Sequence, residues 1–406
     1  MKRVRWQYII SLVGLVSLSC AYFLFWMRMF QDPILYTGTD FVTFYTVGRI
    51  GSELGLEHVY KLSEQHRVQE ELVGFSIDVS AVLPHNHIPL LNPLLGFLFE
   101  ISKGDFLLSM VIWNVLMLAL TVLSIIILLK SSSDLINHSM LIFLSLLYFF
   151  PIFVSILLGQ DTALLLLGVS LWIFGIRKEN AHVSGLGLAL TTFRPHIALI
   201  LAVPFLFAPH KAGKWFLVYA SLMVLLSIIP LGLGGIADFF TILDYTTTRF
   251  EAKDMANFMG IFARTFSAGP KLTCVMGWGG YLSAITGACI FWKKTTTIKP
   301  EYAGIILIVS LFFVPHLFYH DFSLLLIPLL LVIEALAQHK KLTVTHLSAL
   351  FFGLSILFML GYSSPSIQFL LPHLSMILLI IILIRRARDF GFDNIIDYKN
   401  ADKLYF

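Results

Sequence analysis

The stretch TDFVTFYTVGRIGSELGLEHVY, residues Thr39 to Tyr60, follows the first apolar segment and is the first long polar interval in the chain. Its apolar residues recur at helical spacing, which predicts a short amphipathic helix lying on a membrane surface. Asp40 stands at the start of this helix, where a carboxylate can accept hydrogen bonds from unpaired backbone N–H groups. One interpretation of Asp40 is therefore a helix cap, and the other is a functional acid.

The composition of the whole chain indicates an integral membrane protein. Of the 406 residues, 58% are hydrophobic and 13% are charged, whereas about a quarter of the residues in a soluble domain are charged. The three cysteines lie in apolar context and indicate neither a disulfide framework nor a zinc site. No basic stripe or recognised motif indicates nucleic-acid binding. We expect an all-α, polytopic membrane protein without a cofactor or a metal.

The apolar runs predict about twelve transmembrane segments, including short and broken ones, because a full span needs roughly 20 apolar residues. The first run, about Trp6 to Trp26, is interpreted as an uncleaved signal anchor with a cytoplasmic N-terminus. The short apolar stretch from His85 to Ser102 contains Pro89 and Pro93 and either crosses the membrane or returns. We favour a return, because the basic residues near the later span ends then fall in the cytoplasm.

This topology predicts one membrane domain over residues 1–406, with a first outer loop (27–87), a second outer loop (234–271) and a cytoplasmic tail (385–406). Polar residues that sit beside apolar runs all fall on the outer side. They are Asp40, His85, His87, Gln160, Asp161, Arg194, His196, His316, His320 and Asp321. Ionisable groups gathered at one face are what a site at the outer leaflet requires.

Four motifs resemble those of GT-C superfamily membrane glycosyltransferases, and of family 87 in particular. They are D-F-x-x-[FY]-Y-x-x-G-R from Asp40, the Leu-Gly-Gln turn that ends at Gln160, the Arg-Pro step at Arg194, and the V-P-H-x-x-x-H-D segment that ends at Asp321. The sequence departs from the family pattern where Asp161-Thr162 replaces a variable residue followed by Asn, where Arg194 replaces Lys, and where Val314 replaces Ser.

The resemblance implies a polyprenyl-phosphate-mannose-dependent α-mannosyltransferase of the cell inner membrane, with cytoplasmic termini and an extracytoplasmic active site. A hexose, mannose by default, would pass with inversion from a polyprenyl-phosphate donor to a hydroxyl of a glycan or glycolipid acceptor. Asp40 would be the general base, since a carboxylate is ionised at neutral pH. The residues implied in contacts with the donor phosphate or sugar are Arg194, His316, His320, Asp321, Gln160 and Tyr45.

Each of these residues also has a purely structural interpretation. Gln160 can belong to a tight turn, and Arg194 can extend towards the membrane interface. His316 and His320 are four residues apart, so on a helix they would share a face and could bind a metal, although we rank phosphate or sugar contact first.

Two further functional classes remain open. A lipid-linked glycan ligase or polymerase usually has a large, arginine-rich outer loop, and the second outer loop here contains two arginines. A transporter or flippase would place polar groups along a path through several spans, and the absence of an evident internal repeat disfavours one built from repeats.

Overall fold

The computed structural model describes residues 6–132, 139–247, 252–266, 269–338, 344–364 and 368–389. Every regular element in these ranges is a helix, which confirms the all-α prediction. The α-helices are α1 (Trp6–Gln31), α2 (Pro33–Thr37), α3 (Phe41–Glu53), α4 (Leu62–Val73), α5 (Asn92–Ile101), α6 (Phe106–Ser131), α7 (Ser139–Leu147), α8 (Phe150–Leu157), α9 (Thr162–Arg177), α10 (Ala181–Leu190), α11 (Pro195–Phe205), α12 (Ala212–Ile228), α13 (Gly232–Thr247), α14 (Phe258–Phe266), α15 (Pro270–Lys294), α16 (Pro300–Phe313), α17 (Leu326–Gln338), α18 (Val344–Tyr362) and α19 (Leu370–Asp389). Short 3₁₀ turns connect several of them.

Five helices in the described ranges are long and apolar enough to cross a membrane, and two bent pairs raise that number to seven. The bent pairs are α7 with α8, at 52°, and α12 with α13, at 105°. Six further apolar helices have 10 to 17 residues. The predicted broken pair after Val183 is present as α10, a 3₁₀ turn and α11. The total of about twelve segments stays a prediction.

The helix predicted in the first outer loop is present as α3, but it does not lie open on a membrane surface. Nine of its 13 residues are buried, and α5 crosses it closely. A Cβ on Gly48 would lie 2.5 Å from the carbonyl oxygen of Leu95, closer than real contacts allow, so the two backbones meet only because this residue is glycine. The helix is therefore a core element, which fixes the direction in which Asp40 points.

The helix in the stretch between His85 and Ser102 is too short to span a membrane, which favours the predicted return. Its helix α5 has ten residues, or about 15 Å at 1.5 Å per residue, against about 30 Å of hydrocarbon. The first outer loop holds both ends of the stretch. Tyr60 donates a hydrogen bond to the carbonyl of His87 (2.7 Å), and Tyr45 donates one to the carbonyl of Gly104 (2.7 Å).

The second outer loop is largely helical in the described ranges and packs on the first outer loop. After the 105° bend, α13 lies against the 3₁₀ turn Leu56–His58. The rings of Tyr60 and Phe239 lie 4.9 Å apart in an edge-to-face arrangement, and Tyr245 donates a hydrogen bond to the carbonyl of Val79 (3.0 Å). The two loops thus form one layer at the same end of the bundle.

Two largely buried ion pairs lie at the opposite end of the bundle. Helix α6 has 26 residues, about 39 Å, and at its far end Ser131 accepts a hydrogen bond from Arg177, which also pairs with Glu334. Arg386 pairs with Glu301 at 2.8 Å. Arg177 and Arg386 are two of the residues predicted to face the cytoplasm, so the bundle has two chemically distinct ends. Of the predicted tail, residues 385–389 continue α19, and residues 390–406 lie outside the described ranges.

The separation of the two ends predicts the outcome of thiol labelling. In a background with Cys20, Cys274 and Cys289 replaced by Ala, Ser80→Cys and Lys178→Cys each place one exposed thiol at opposite ends. We expect a membrane-impermeant maleimide to label Ser80→Cys in intact cells, and Lys178→Cys only after permeabilisation, because the second lies in a predicted cytoplasmic loop. Labelling of both thiols from the same side would contradict the topology.

Candidate active site

Asp40 precedes α3 but does not cap it. Its backbone is already helical (φ −62°, ψ −20°), and its side chain makes no capping hydrogen bond. The backbone N–H of Phe41 instead donates to the carbonyl of Leu158, 3.0 Å away. Backbone N–H groups at the start of a helix have no partner within the helix, and here Leu158 supplies one. The half-buried carboxylate of Asp40 is therefore left for another role.

The turn that contains Leu158 is locked against α3 and α6. Gly159 has a φ of +71°, and a Cβ at this position would lie 2.5 Å from the Cβ of Phe41. Its carbonyl accepts a hydrogen bond from the indole N–H of Trp113 (2.8 Å). The turn therefore requires glycine both for its backbone conformation and for its contact with α3.

Asp161 forms a buried ion pair with Arg194, which lies at the break between α10 and α11. Arg194 lies between the 3₁₀ turn Thr191–Phe193 and Pro195, the first residue of α11. One of its terminal nitrogens, Nη2, donates to Gln160 Oε1 (2.8 Å) and Asp161 Oδ1 (2.9 Å). The Asp161 side chain is fully buried and that of Arg194 is 11% exposed. Within the described ranges, Nε of Arg194 has no hydrogen-bond partner.

The charge of Asp161 is stabilised despite its burial. Burial by itself would raise the pKa of the Asp161 carboxyl, but the nearby Arg194 guanidinium and the His87 ring together lower that pKa below its usual range. His87 Nδ1 lies 3.0 Å from Asp161 Oδ2. Asp161 is therefore an anion at neutral pH that contacts Arg194 with one oxygen and His87 with the other.

His85 and His87 come from the extended segment between the first outer loop and α5. The two rings stack at 5.1 Å, and Phe44 of α3 contacts both. Complete burial lowers the pKa of His85 well below the usual histidine value, so His85 is neutral. His87, in contrast, reaches the carboxylate of Asp161.

The histidines near the end of α16 do not share a helix face, contrary to what their spacing predicts. Pro315 ends α16, and the chain is irregular up to a 3₁₀ turn, Tyr319–Leu325. Burial, together with the nearby Arg194 charge, lowers the pKa of His316 to about 4. His320 and Asp321 are buried, and Asp321 Oδ2 accepts a hydrogen bond from the backbone N–H of Phe318 (2.9 Å). Nowhere in the described ranges do three or more His, Cys, Asp or Glu side chains form a group that could hold a metal.

These segments enclose a cavity of about 240 Å³ at the end of the bundle that carries the two outer loops. Polar residues supply much of its wall: Asp40, Thr43, Asn86, His87, Gln160, Arg194, Asp254, His316, Tyr319, His320, Tyr362 and Gln368. A larger cavity, about 360 Å³, lies between α2, α4 and the start of α6, and no predicted site residue lines it.

The cavity brings together most of the predicted site residues. Asp40, Gln160, Arg194, His316 and His320 line it. Asp321 lies beside His320, with 3.6 Å between Asp321 Oδ1 and His320 Nε2.

Tyr45 lies away from the cavity. Its side chain is 6% exposed, and its hydroxyl donates a hydrogen bond to the carbonyl of Gly104. We therefore do not retain Tyr45 among the residues that bind the sugar donor.

Sequence reasoning assigned no role to several residues that line the cavity. His87 was identified only as a polar residue on the outer side, although its position two residues before Pro89 was a usable signal. Asp254 and Tyr362 lie in no recognised motif, and only the packing of distant segments brings them to the cavity.

Comparison with known proteins gives one match. The sequence model of glycosyltransferase family 87 matches residues 93–317, which is more than half of the chain. The matched region contains Gln160, Arg194 and His316, whereas Asp40, His87 and His320 lie outside it. No curated protein matches the chain.

The close contact between Gly159 and Phe41 predicts that Gly159→Ala lowers the stability of the fold. Gly232→Ala serves as a reference for the part of this loss that comes from backbone strain alone. Gly232 also has a positive φ, +60°, but a Cβ there would meet no atom within 4 Å. Both Gly→Ala variants should lose about 1–2 kcal/mol through backbone strain. Gly159→Ala should lose about 1–3 kcal/mol more, because the new methyl group displaces α3.

The measurement is thermal unfolding of the purified variants in detergent. Equal losses in Gly159→Ala and Gly232→Ala would show that the turn does not press on α3.

Proposed function

The chain belongs to glycosyltransferase family 87 and is therefore a membrane glycosyltransferase; on this premise, we propose that it transfers a hexose, mannose by default, from a polyprenyl-phosphate donor to an acceptor hydroxyl at the cavity. The acceptor would be a glycan or glycolipid on the outer side of the cell inner membrane. The proposal rests above all on one observation: Asp40, an acid that does not cap its helix, shares a cavity with Arg194, a buried cation with an unpaired donor.

Arg194 suits the phosphate of the donor. Its guanidinium is planar and always charged, and such forks bind phosphate oxygens through parallel hydrogen bonds. Gln160 and Asp161 hold Nη2, which fixes the plane of the guanidinium and leaves Nε for a ligand. The break at Pro195 places this cation within a stretch of apolar helices, where a lipid-borne phosphate can reach it from the bilayer.

Other polar side chains around the cavity suit the sugar. His316 and His320 line it from the irregular segment after α16, and Gln160 lines it from the turn. These groups can donate and accept hydrogen bonds, as hydroxyl recognition requires. Asp321 would act through His320, since its own carboxylate is held by the backbone of Phe318.

Asp40 is the proposed general base. It would take the proton of the acceptor hydroxyl while the hydroxyl oxygen attacks the anomeric carbon and the bond to the polyprenyl phosphate breaks. A single displacement of this kind inverts the anomeric centre, by analogy with one-step glycosidases. The fixed start of α3, held by the carbonyl of Leu158, supports this role because a base must keep its position during the reaction.

The arrangement disfavours the two rival classes. A transporter needs polar groups along a path through the bundle, whereas those described here gather at the cavity, and the far end is tied by the pairs Arg177–Glu334 and Arg386–Glu301. A ligase that uses a pyrophosphate donor would have to neutralise more charge, and Arg194 is the one Lys or Arg among the residues that line this cavity in the described ranges.

Replacement of Asp40 tests the base directly. Asp40→Asn keeps the shape of the side chain but removes its ability to accept a proton, and general-base catalysis typically contributes about 10²–10⁴ to the rate. We expect a loss of that size in sugar transfer from radiolabelled polyprenyl-phosphate-mannose to endogenous lipid acceptors in isolated membranes.

Asp238→Asn is the matched control, since Asp238 lies in α13 at the same end of the bundle but does not line the cavity. Both variants should be expressed at the wild-type level. Transfer by Asp40→Asn at the wild-type rate would remove Asp40 from the mechanism.

Replacement of Arg194 tests the phosphate site. Arg194→Lys keeps the positive charge but replaces the planar fork with a single nitrogen, which would have to reach Gln160, Asp161 and the phosphate from one point. We expect the KM for the donor lipid to rise about tenfold or more, which corresponds to the loss of about one charge-assisted hydrogen bond. The steady-state KM for the acceptor serves as the internal control, and an unchanged donor KM would contradict the assignment.

A further inference from the structure

We propose that His87, held by Asp161, is a second catalytic residue that donates a proton from Nε2 to the leaving phosphate. The inference rests on the proposed function, because it assigns a role to a residue of the same cavity. The sequence gives His87 no motif, and the family match begins after it. The assignment comes from the geometry of the Asp161–His87 pair.

The hydrogen bond to Asp161 fixes the orientation of the His87 ring. With Nδ1 directed at the buried carboxylate, 3.0 Å away, the opposite nitrogen is the one that remains for a ligand. The ring lines the cavity, and its side chain is 10% exposed. Among the residues that the structure describes, none forms a hydrogen bond with Nε2. The ring stacks on His85 and packs at a tilt against Phe44, and these contacts restrict its rotation.

The balance of charge in the site calls for a second cation. Four carboxylates lie in or beside the cavity, namely Asp40, Asp161, Asp254 and Asp321. Arg194 is the one arginine or lysine among the described lining residues, and its charge is already shared with Asp161. A phosphate that enters such a site would meet net negative charge, which repels it. Protonation of a histidine would reduce this excess.

Among the histidines, His87 is the best placed to carry that proton. The ionisable groups that face it from the packed segments are Asp161 of the turn, Arg194 of the helix break, Asp40 of α3, His196 of α11, His85 of its own segment, and His316 and His320 beyond α16. Of these, Asp161 makes the direct hydrogen bond and is an anion.

The reaction requires a proton because the leaving phosphate gains negative charge. The donor is a phosphodiester with one negative charge, and cleavage of the bond between the anomeric carbon and oxygen leaves its electron pair on the phosphate. The leaving group is then a monoester, which carries up to two negative charges and has a second pKa of about 6. The Nε2–H of His87 passes to that phosphate oxygen while Asp40 takes the proton of the acceptor hydroxyl. The protein thus gains one proton and loses one, and exchange with water restores both residues.

A purely structural Asp161–His87 pair makes a different prediction. It would stabilise the fold but would not affect the pH dependence of binding or turnover. The test therefore compares wild type, His87→Gln and Asp161→Asn as purified full-length proteins. His58→Gln is the matched control, since His58 lies at the same end of the bundle and does not line the cavity.

The first experiment measures the binding of a C55 polyprenyl monophosphate between pH 5.5 and 9. Binding is monitored by the increase in the melting temperature of the protein. Wild type and His58→Gln should bind less tightly as the pH rises. His87→Gln should bind about tenfold less tightly at pH 6 and show less dependence on pH. Asp161→Asn should lose its affinity at a lower pH than wild type does, because the anion that pairs with the His87 ring is gone. This readout does not depend on the fraction of folded protein.

The second measurement is kcat for transfer from polyprenyl-phosphate-mannose over the same pH range. His87→Gln should lower kcat by about 10²-fold or more, and Asp161→Asn should move the alkaline decline of wild type to lower pH. The inference is overturned if wild type binds no monophosphate, or if both site variants keep the wild-type pH dependence. Binding by wild type that follows the expected pattern, without any transfer of mannose, would count against the proposed function alone.

Discussion

The buried ion pair between Asp161 and Arg194 is the interaction on which the site depends. It joins the turn after α8 to the break between α10 and α11, and through His87 it also holds the segment that leads into α5. Removal of one partner from a buried pair typically costs about 3–5 kcal/mol, because the other charge is left without compensation. The three segments therefore cannot move independently. Since the same turn accepts the first hydrogen bond of α3, the position of Asp40 depends on this pair as well.

The helices confine the chemistry to one end of the bundle. Unpaired polar groups are costly in hydrocarbon, so ionisable side chains in a membrane protein collect where they find partners or water. Here two outer loops pack on each other and cover the cavity end, and ion pairs such as Arg177–Glu334 tie the other end. Between the two ends the buried side chains are mostly apolar.

The sequence was sufficient for features that the bilayer itself dictates. Apolar runs of limited length predicted the helices, and prolines predicted the break at Arg194 and the short return before α6, because a missing backbone donor has the same effect in any context. Features that depend on distant contacts were not predictable from local pattern. Asp161 and His87 are 74 residues apart, and nothing in the sequence indicates that the fold brings them into contact. The helical spacing of His316 and His320 was misleading, because Pro315 ends the helix before His316.

The departures from the family pattern make physical sense together. Asp161 fills the position that varies in the family pattern and Arg194 replaces the expected lysine, so that an anion and a planar guanidinium form a pair. A lysine could offer its charge to a phosphate without a partner, whereas the arginine is held in one plane by Gln160 and Asp161. The carboxylate that holds it has a second oxygen, and that oxygen reaches His87. Asp161 thus orients the Arg194 guanidinium with one oxygen and the His87 ring with the other.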